Sequence, residues 1–263
     1  MPDKKNFEKY AKLLNPIDDL MFCKMAEHKE FCEEILRVIL DDDGLTVVEA
    51  IPQWQGKNLS GRSVVLDAKC VTGDGRQINI EVQKADDDNH LKRARYNAAI
   101  LTTNISKTGT KFEFIPDVCI VFISKFDIFE GGLPLYHIDK VVRETGQVID
   151  DGLTEIFVNT VNYDGSKPAR LMKLFTDNDA YSNDEFPVTS ELKSRLKSSE
   201  GGSRTMNEIL EKLISDEKKE SEKRGAKNEK LKIAKTMLEE GLSAELIMRY
   251  TGLSKDAIAA LQV

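Results

Sequence analysis

Two acids and an amide on what reads as one β-hairpin are the residues best placed for chemistry. Gly73-Asp74-Gly75 is a strong turn signal between two β-rich runs, Arg62–Thr72 and Gln77–Lys84. Asp67 and Glu81 are equidistant from Asp74, so antiparallel pairing sets them opposite each other, with Cβ atoms about 5 Å apart. Two such carboxylates repel, and Val and Ile neighbours deprive them of water. A hard divalent cation relieves both costs. Mg²⁺ takes one or two carboxylates and keeps its other positions for water and phosphate oxygens. An ion held this way polarises a phosphodiester and activates water. Gln83 shares a side of the strand with Glu81 by alternation and can orient that water or a phosphate, though not as a charged base; Lys84 is expected on the opposite side. Acidic residues on an open hairpin face also occur without metal, so spacing alone leaves both readings standing.

The next segment reverses the local charge. Between Asn89 and Phe112 stand Lys92, Arg93, Arg95, Lys107 and Lys111 with no acid, in a chain of net charge -7. Lys92 and Arg95 fall on one helical face with Tyr96 beside them. Cations here attract a phosphate backbone. The bland alternative pairs them with the acidic runs at 86–88 and 41–43.

These residues need a frame. Apolar spacing predicts one helix, or a broken pair, over 18–40, then a β run at 46–51 ended by Pro52 and a loop marked by Gly56 and Gly61. After the hairpin, Asp88 or Asn89 caps a helix reaching about Ile105, and Ile115–Ser124 reads as a strand buried on both faces. Short β runs follow across 126–162, then a helix over 167–177. Residues 178–204, with NDAYSNDE and SSEGGS, read as loop or linker. An amphipathic helix begins at Met206, and 215–230 is a highly charged, solvated helix. Gly241, Ser243, the Thr251-Gly252-Leu253 turn and Ser254 then punctuate a helical tail.

Composition bounds the function. With 263 residues, 40% hydrophobic and 32% charged, the chain can bury a core without staples. No apolar run of about 18 residues is present, so no membrane span is expected, and MPDKKNFEKY lacks a secretory signal's apolar block. Cys23, Cys32, Cys70 and Cys119 have no C-x-x-C spacing and read as reduced, buried thiols of a cytoplasmic protein. His28, His90 and His137 lie too far apart in sequence for a histidine-built metal site. The acidic balance excludes a nucleic-acid coat over the whole surface but not a local basic groove.

Taken together, these pieces resemble the PD-(D/E)XK nuclease superfamily, most closely its bacterial recombination-promoting nuclease and transposase branch. The resemblance is carried by PIDDLMFCKM, SVVLDAKCVTGDGRQINIEVQ, KRARYNAAI and IPDVCIVFISKFDIF. It implies an α/β, restriction-endonuclease-like core over 15–180, a mixed sheet flanked by helices. A linker at 181–204 and a helical tail at 205–263 follow. It also implies a Mg²⁺-dependent DNA endonuclease acting in recombination or transposition. Asp67 and Glu81 would be metal carboxylates, joined by Asp19 of the front helix, with Asp18 the alternative by register. Gln83 would stand where most of the superfamily has lysine. Arg95 and Tyr96 would match the basic–aromatic pair and, with Lys92 and Arg93, grip DNA. Two departures stand out: Leu66 occupies the place of the proline before the first acid, and Gln83 replaces lysine, although glutamine there is typical of the branch that the chain resembles. The second leaves open a catalytically impaired DNA-binding or regulatory protein. The tail resembles a helix-turn-helix, but basic and acidic residues nearly balance over 226–263 and Lys255 is the sole cation of SKDAIAALQV. A packing or self-association module, and hence a homo-oligomer, is therefore the expected role.

Overall fold

Apolar residues at helical spacing build the first two elements, α1 (Asp19–Ala26), burying Met21, Phe22 and Met25, and α2 (Lys29–Ile39), burying Phe31, Ile35 and Leu36. The broken pair is the outcome, with His28 in extended backbone between them. The computed structural model describes residues 13–58 and 61–198 and scattered positions of the tail, the longest run being 244–253. The chain divides into two units, Met1–Asn207 and Glu208–Val263.

In the first unit β1 (Val47–Gly56) continues through Pro52, where sequence predicts a loop. Since β1 is the sheet's edge, a residue without an N–H is tolerated there. The strands β2 (Val64–Thr72) and β3 (Gln77–Gln83) form the predicted hairpin. Gly75 closes it at φ +94°, an angle that a side chain disfavours. Its N–H donates to the Thr72 carbonyl at 3.0 Å. Ala68 pairs with Ile80 and Cys70 with Ile78, the register symmetric about Asp74.

Asn89 caps α3 (His90–Ile105) by accepting from the Lys92 N–H at 3.0 Å. This helix is the crossover that lets β4 (Val118–Ser124) pair parallel with β3. All of β4 is buried. Val118, Ile120 and Phe122 pack with Ala94, Ala98 and Leu101 of α3, and Cys119, Val121 and Ile123 are buried on its other side. The remaining strands are β5 (Leu135–Ile138), the small ribbon β6 (Lys140–Val141) and β7 (Val148–Ile149), and β8 (Leu153–Asn159). The main sheet runs β1-β2-β3-β4-β8-β5. Its β3-β4-β8 centre is parallel and its remaining pairings antiparallel, a mixed sheet flanked by helices.

After α4 (Lys167–Thr176) the structure corrects the sequence reading. A helix, α5 (Pro187–Ser198), occupies half of the predicted 181–204 linker and buries Thr189, Leu192, Lys193 and Leu196. Its polar composition hides it, because its partners are remote. Glu34 of α2 accepts from the Val188 and Thr189 N–H groups at 3.0 and 2.8 Å. Lys193, 1% exposed, donates to the Leu174 and Asp177 carbonyls at the end of α4. Burial pushes its ammonium down to about 8.

In the second unit Ala234, Ile247 and Ile258 are buried together. The predicted turn is present: α6 (Ala244–Thr251) stops at Gly252, φ +68°, whose N–H donates to the Met248 carbonyl. The charged 215–229 stretch and the expected breaks at Gly241, Ser243 and Ser254 lie outside the described residues. Among the described residues no helix is long and apolar enough to cross a membrane.

Candidate active site

At the end of the β2–β3 hairpin away from its turn, side chains take over from the ladder. The Asp67 N–H donates to Glu81 Oε1 at 3.3 Å, and the Val82 N–H donates to Asp67 Oδ2 at 2.8 Å. The carboxylates thus stand on neighbouring strands, Glu81 fully buried and Asp67 8% exposed. Burial is the largest cause holding Asp67 well above the ordinary carboxylate range, followed by the charges of Glu81 and Asp19. Glu81 is also pushed up by burial, against the opposing pull of Arg93 and of the Asn79 amide.

Each acid faces a different neighbour. Asp19, in the first turn of α1, and Cys23, one turn on, bring their ligand atoms and those of Asp67 within 4.8 Å of one another. Cys23 Sγ also lies 3.7 Å from the Asp67 carbonyl. Asp18 turns elsewhere: it accepts from the Asn15 N–H at 2.8 Å and pairs with Lys84 at 2.5 Å. Of the two aspartates left open by register, Asp19 is the one that meets Asp67. Glu81 is held from α3. Arg93 donates to Glu81 Oε2 at 3.0 Å and to Gln83 Oε1 at 2.9 Å. Asn79, itself bonded by Asn97, donates to Glu81 Oε1 at 3.0 Å. Asn79, Glu81 and Gln83 alternate along β3 and all meet residues of α3 or its approach.

The donor set suits a hard cation. Two carboxylates, Asp19 and Asp67, converge, and their mutual repulsion is relieved by positive charge. The Cys23 thiol is pushed up by burial and by those same acids, so it is a neutral, soft neighbour rather than a matched ligand.

Two clefts open here. One, of about 370 Å³, is lined by Asp19, Asp67, Gln83, Lys84 and Arg93 among others. Lys84 lines it together with Val82 and pairs with Asp18, on the opposite side of the strand from Glu81 and Gln83, which bond Arg93. The second, of about 630 Å³, is lined by Arg62, Lys92, Arg93, Arg95 and Tyr96. Lys92 and Arg95 are exposed and have no ion-pair partner among the described residues, so the bland pairing with acidic runs does not form for them. Tyr96 is engaged at home, its hydroxyl donating to the Arg62 carbonyl at 2.6 Å.

The order of elements, the hairpin acids and the helix after them match one known pattern. Residues 19–177, more than half of the chain, match the PD-(D/E)XK nuclease family transposase. The chain belongs to the PD-(D/E)XK nuclease family. Residues 227–263 of this PD-(D/E)XK protein match the C-terminal HTH domain of the Rpn/YhgA-like nuclease family. No curated protein and no solved structure matches the chain.

Sequence reasoning overlooked Cys23, Asn79 and Arg62. Cys23 was signalled by its place one turn after Asp19, and Asn79 by its place two residues before Glu81 on the same side of β3. Arg62 lies in the β1–β2 connection and carries no local signal of its position.

Proposed function

We propose that this protein is a metal-dependent DNA endonuclease acting in recombination or transposition. The observation that carries the reading is the meeting of Asp19 and Asp67 beside buried Glu81, in a cleft that adjoins a basic one. Asp67 and Asp19 would hold Mg²⁺, with Glu81 behind them on the Asp67 amide. Once bound, the ion would supply Lewis-acid polarisation of the phosphate and an activated water. Gln83 orients groups at the cleft wall through its amide. Lys92, Arg93 and Arg95 attract the DNA backbone, and Tyr96 tethers the loop that carries Arg62. The HTH tail is a second DNA contact that would position the nuclease unit. Self-association through that tail remains a separate proposal, tested by size-exclusion of the full chain. The four free, buried cysteines suit a reducing cytoplasm.

A second reading, a DNA-binding protein with the reaction lost, rests on Gln83, an uncharged amide at the cleft that cannot act as a charged base. Plasmid cleavage with Mg²⁺ separates the two. Nicking by wild type that disappears in Glu81→Ala and Asp67→Ala supports the nuclease. Equal nicking by all three defeats the site assignment. Absence of nicking alongside Mn²⁺ binding that is lost in Asp67→Ala supports the second reading.

A further inference from the structure

Among the described residues Arg93 is the one common to both clefts. Its guanidinium bonds two consecutive inward-facing side chains of β3, Glu81 Oε2 at 3.0 Å and Gln83 Oε1 at 2.9 Å. Its side chain is 35% exposed, whereas Glu81's is 1% exposed, so the cation spans from the acid's buried site to open solvent. Glu81 makes no other ion pair among the described residues. A buried carboxylate is fixed in orientation by a charged partner that also hydrogen-bonds it. The amide of Gln83 cannot supply that charge.

We infer that Arg93 is the working cation of the candidate active centre: it positions the Glu81 carboxylate and passes the phosphate from the basic cleft to the acidic one. The chemistry of the side chain fits both tasks. A guanidinium keeps its charge at any physiological pH and has N–H groups left over after bonding Glu81 and Gln83. Those groups suit paired phosphate oxygens, which a planar fork binds two at a time. Placement on α3 matters too. Lys92 and Arg95 flank Arg93 on the same helix, so backbone held by them is delivered beside the guanidinium. The inference rests on the nuclease reading for its catalytic half and on this geometry alone for its phosphate half.

The contact with Gln83 supplies the test. A lysine at 83 would bring an ammonium to the space that the guanidinium fills, so Gln83→Lys should restore what Arg93→Ala removes. Steady-state cleavage of a labelled duplex in Mg²⁺ is compared for wild type, Arg93→Ala and Arg93→Ala with Gln83→Lys, each checked for cooperative melting. Arg93→Ala is expected to lower kcat by about 10²–10³-fold with a smaller change in KM, and the double variant to regain most of it. The same proteins are titrated with inorganic phosphate by calorimetry: wild type and the double variant bind, and Arg93→Ala does not. A rise in KM with kcat intact overturns the inference and leaves Arg93 a groove cation. Faster cleavage by Arg93→Ala overturns it in favour of a latch. Should Arg93→Ala fail to fold, Arg93→Gln replaces it, since glutamine fills part of the space with a polar group and removes the charge. If wild type cleaves nothing, the nuclease reading fails by itself, and the phosphate titration still decides: equal binding by all variants overturns the inference.

Discussion

The backbone N–H of Asp67 donates to the side-chain carboxylate of Glu81, so the two acids expected to share an ion are joined through the main chain of one of them. That contact seats Glu81 behind Asp67 and directs its other oxygen to Arg93. Asp67 is left to Asp19 and Cys23. One hairpin thereby separates two acids by partner, one facing a cationic helix and the other a second acid.

Asp67 burdens the fold at neutral pH. Its carboxyl is raised by burial and by the nearby acids. An acid raised in the folded state favours folding below its unfolded pKa, about 4, and that contribution is lost as pH rises through the folded value. Asp67→Asn should therefore melt above wild type at pH 7, with the gap closing towards pH 4. Mg²⁺ should raise the Tm of wild type and leave that of the variant unchanged. Thermal melts at both pH values, with and without Mg²⁺, check both signs.

Glu34 of α2 caps α5 from 154 residues earlier in the chain. Glu34→Ala removes the acceptor of two helix-start N–H groups and should cost about 0.5–2 kcal/mol. Hydrogen exchange should quicken at Val188 and Thr189, while plasmid cleavage stays at the wild-type rate per folded molecule. Slow exchange at both amides in the variant would contradict the cap.

Lys92 and Arg95 are exposed cations of the 630 Å³ cleft. Substituting either by Ala should weaken duplex binding about equally for all sequences. It should also reduce the slope of log affinity against log salt by about 1. Binding isotherms across a salt series measure this. An unchanged slope would remove that residue from the phosphate contacts.

Cys23 tests the nature of the donors. A hard cation on Asp19 and Asp67 does not need the neutral thiol beside them. Cys23→Ser should keep Mg²⁺ affinity and lower that for Cd²⁺, a soft ion that rewards sulfur. Calorimetry with each ion reads the two effects separately.

Much of this protein is written in short-range signals. Gly73-Asp74-Gly75 determines the hairpin and its register as far as Ala68 opposite Ile80, because strand pairing near a turn propagates from the turn; beyond that pair Asp67 turns to Asp19 and Glu81 to Arg93, so the expected face-to-face pair of carboxylates does not form. Asn89 announces the start of α3, and the apolar run at 118–124 announces a strand covered on both sides. The cations of α3 and the family pattern are equally legible, since each needs only residues close in sequence. What only the tertiary structure decided are partnerships between distant segments: Asp19 rather than Asp18 beside Asp67, Arg93 on Glu81 and Gln83, and Lys84 paired with Asp18 at the cleft. The same holds for α5, whose cap comes from α2 and whose buried lysine serves α4. Such contacts depend on where packing brings whole helices, and a buried charge takes the nearest opposite charge that the fold delivers, however far away in the chain it lies.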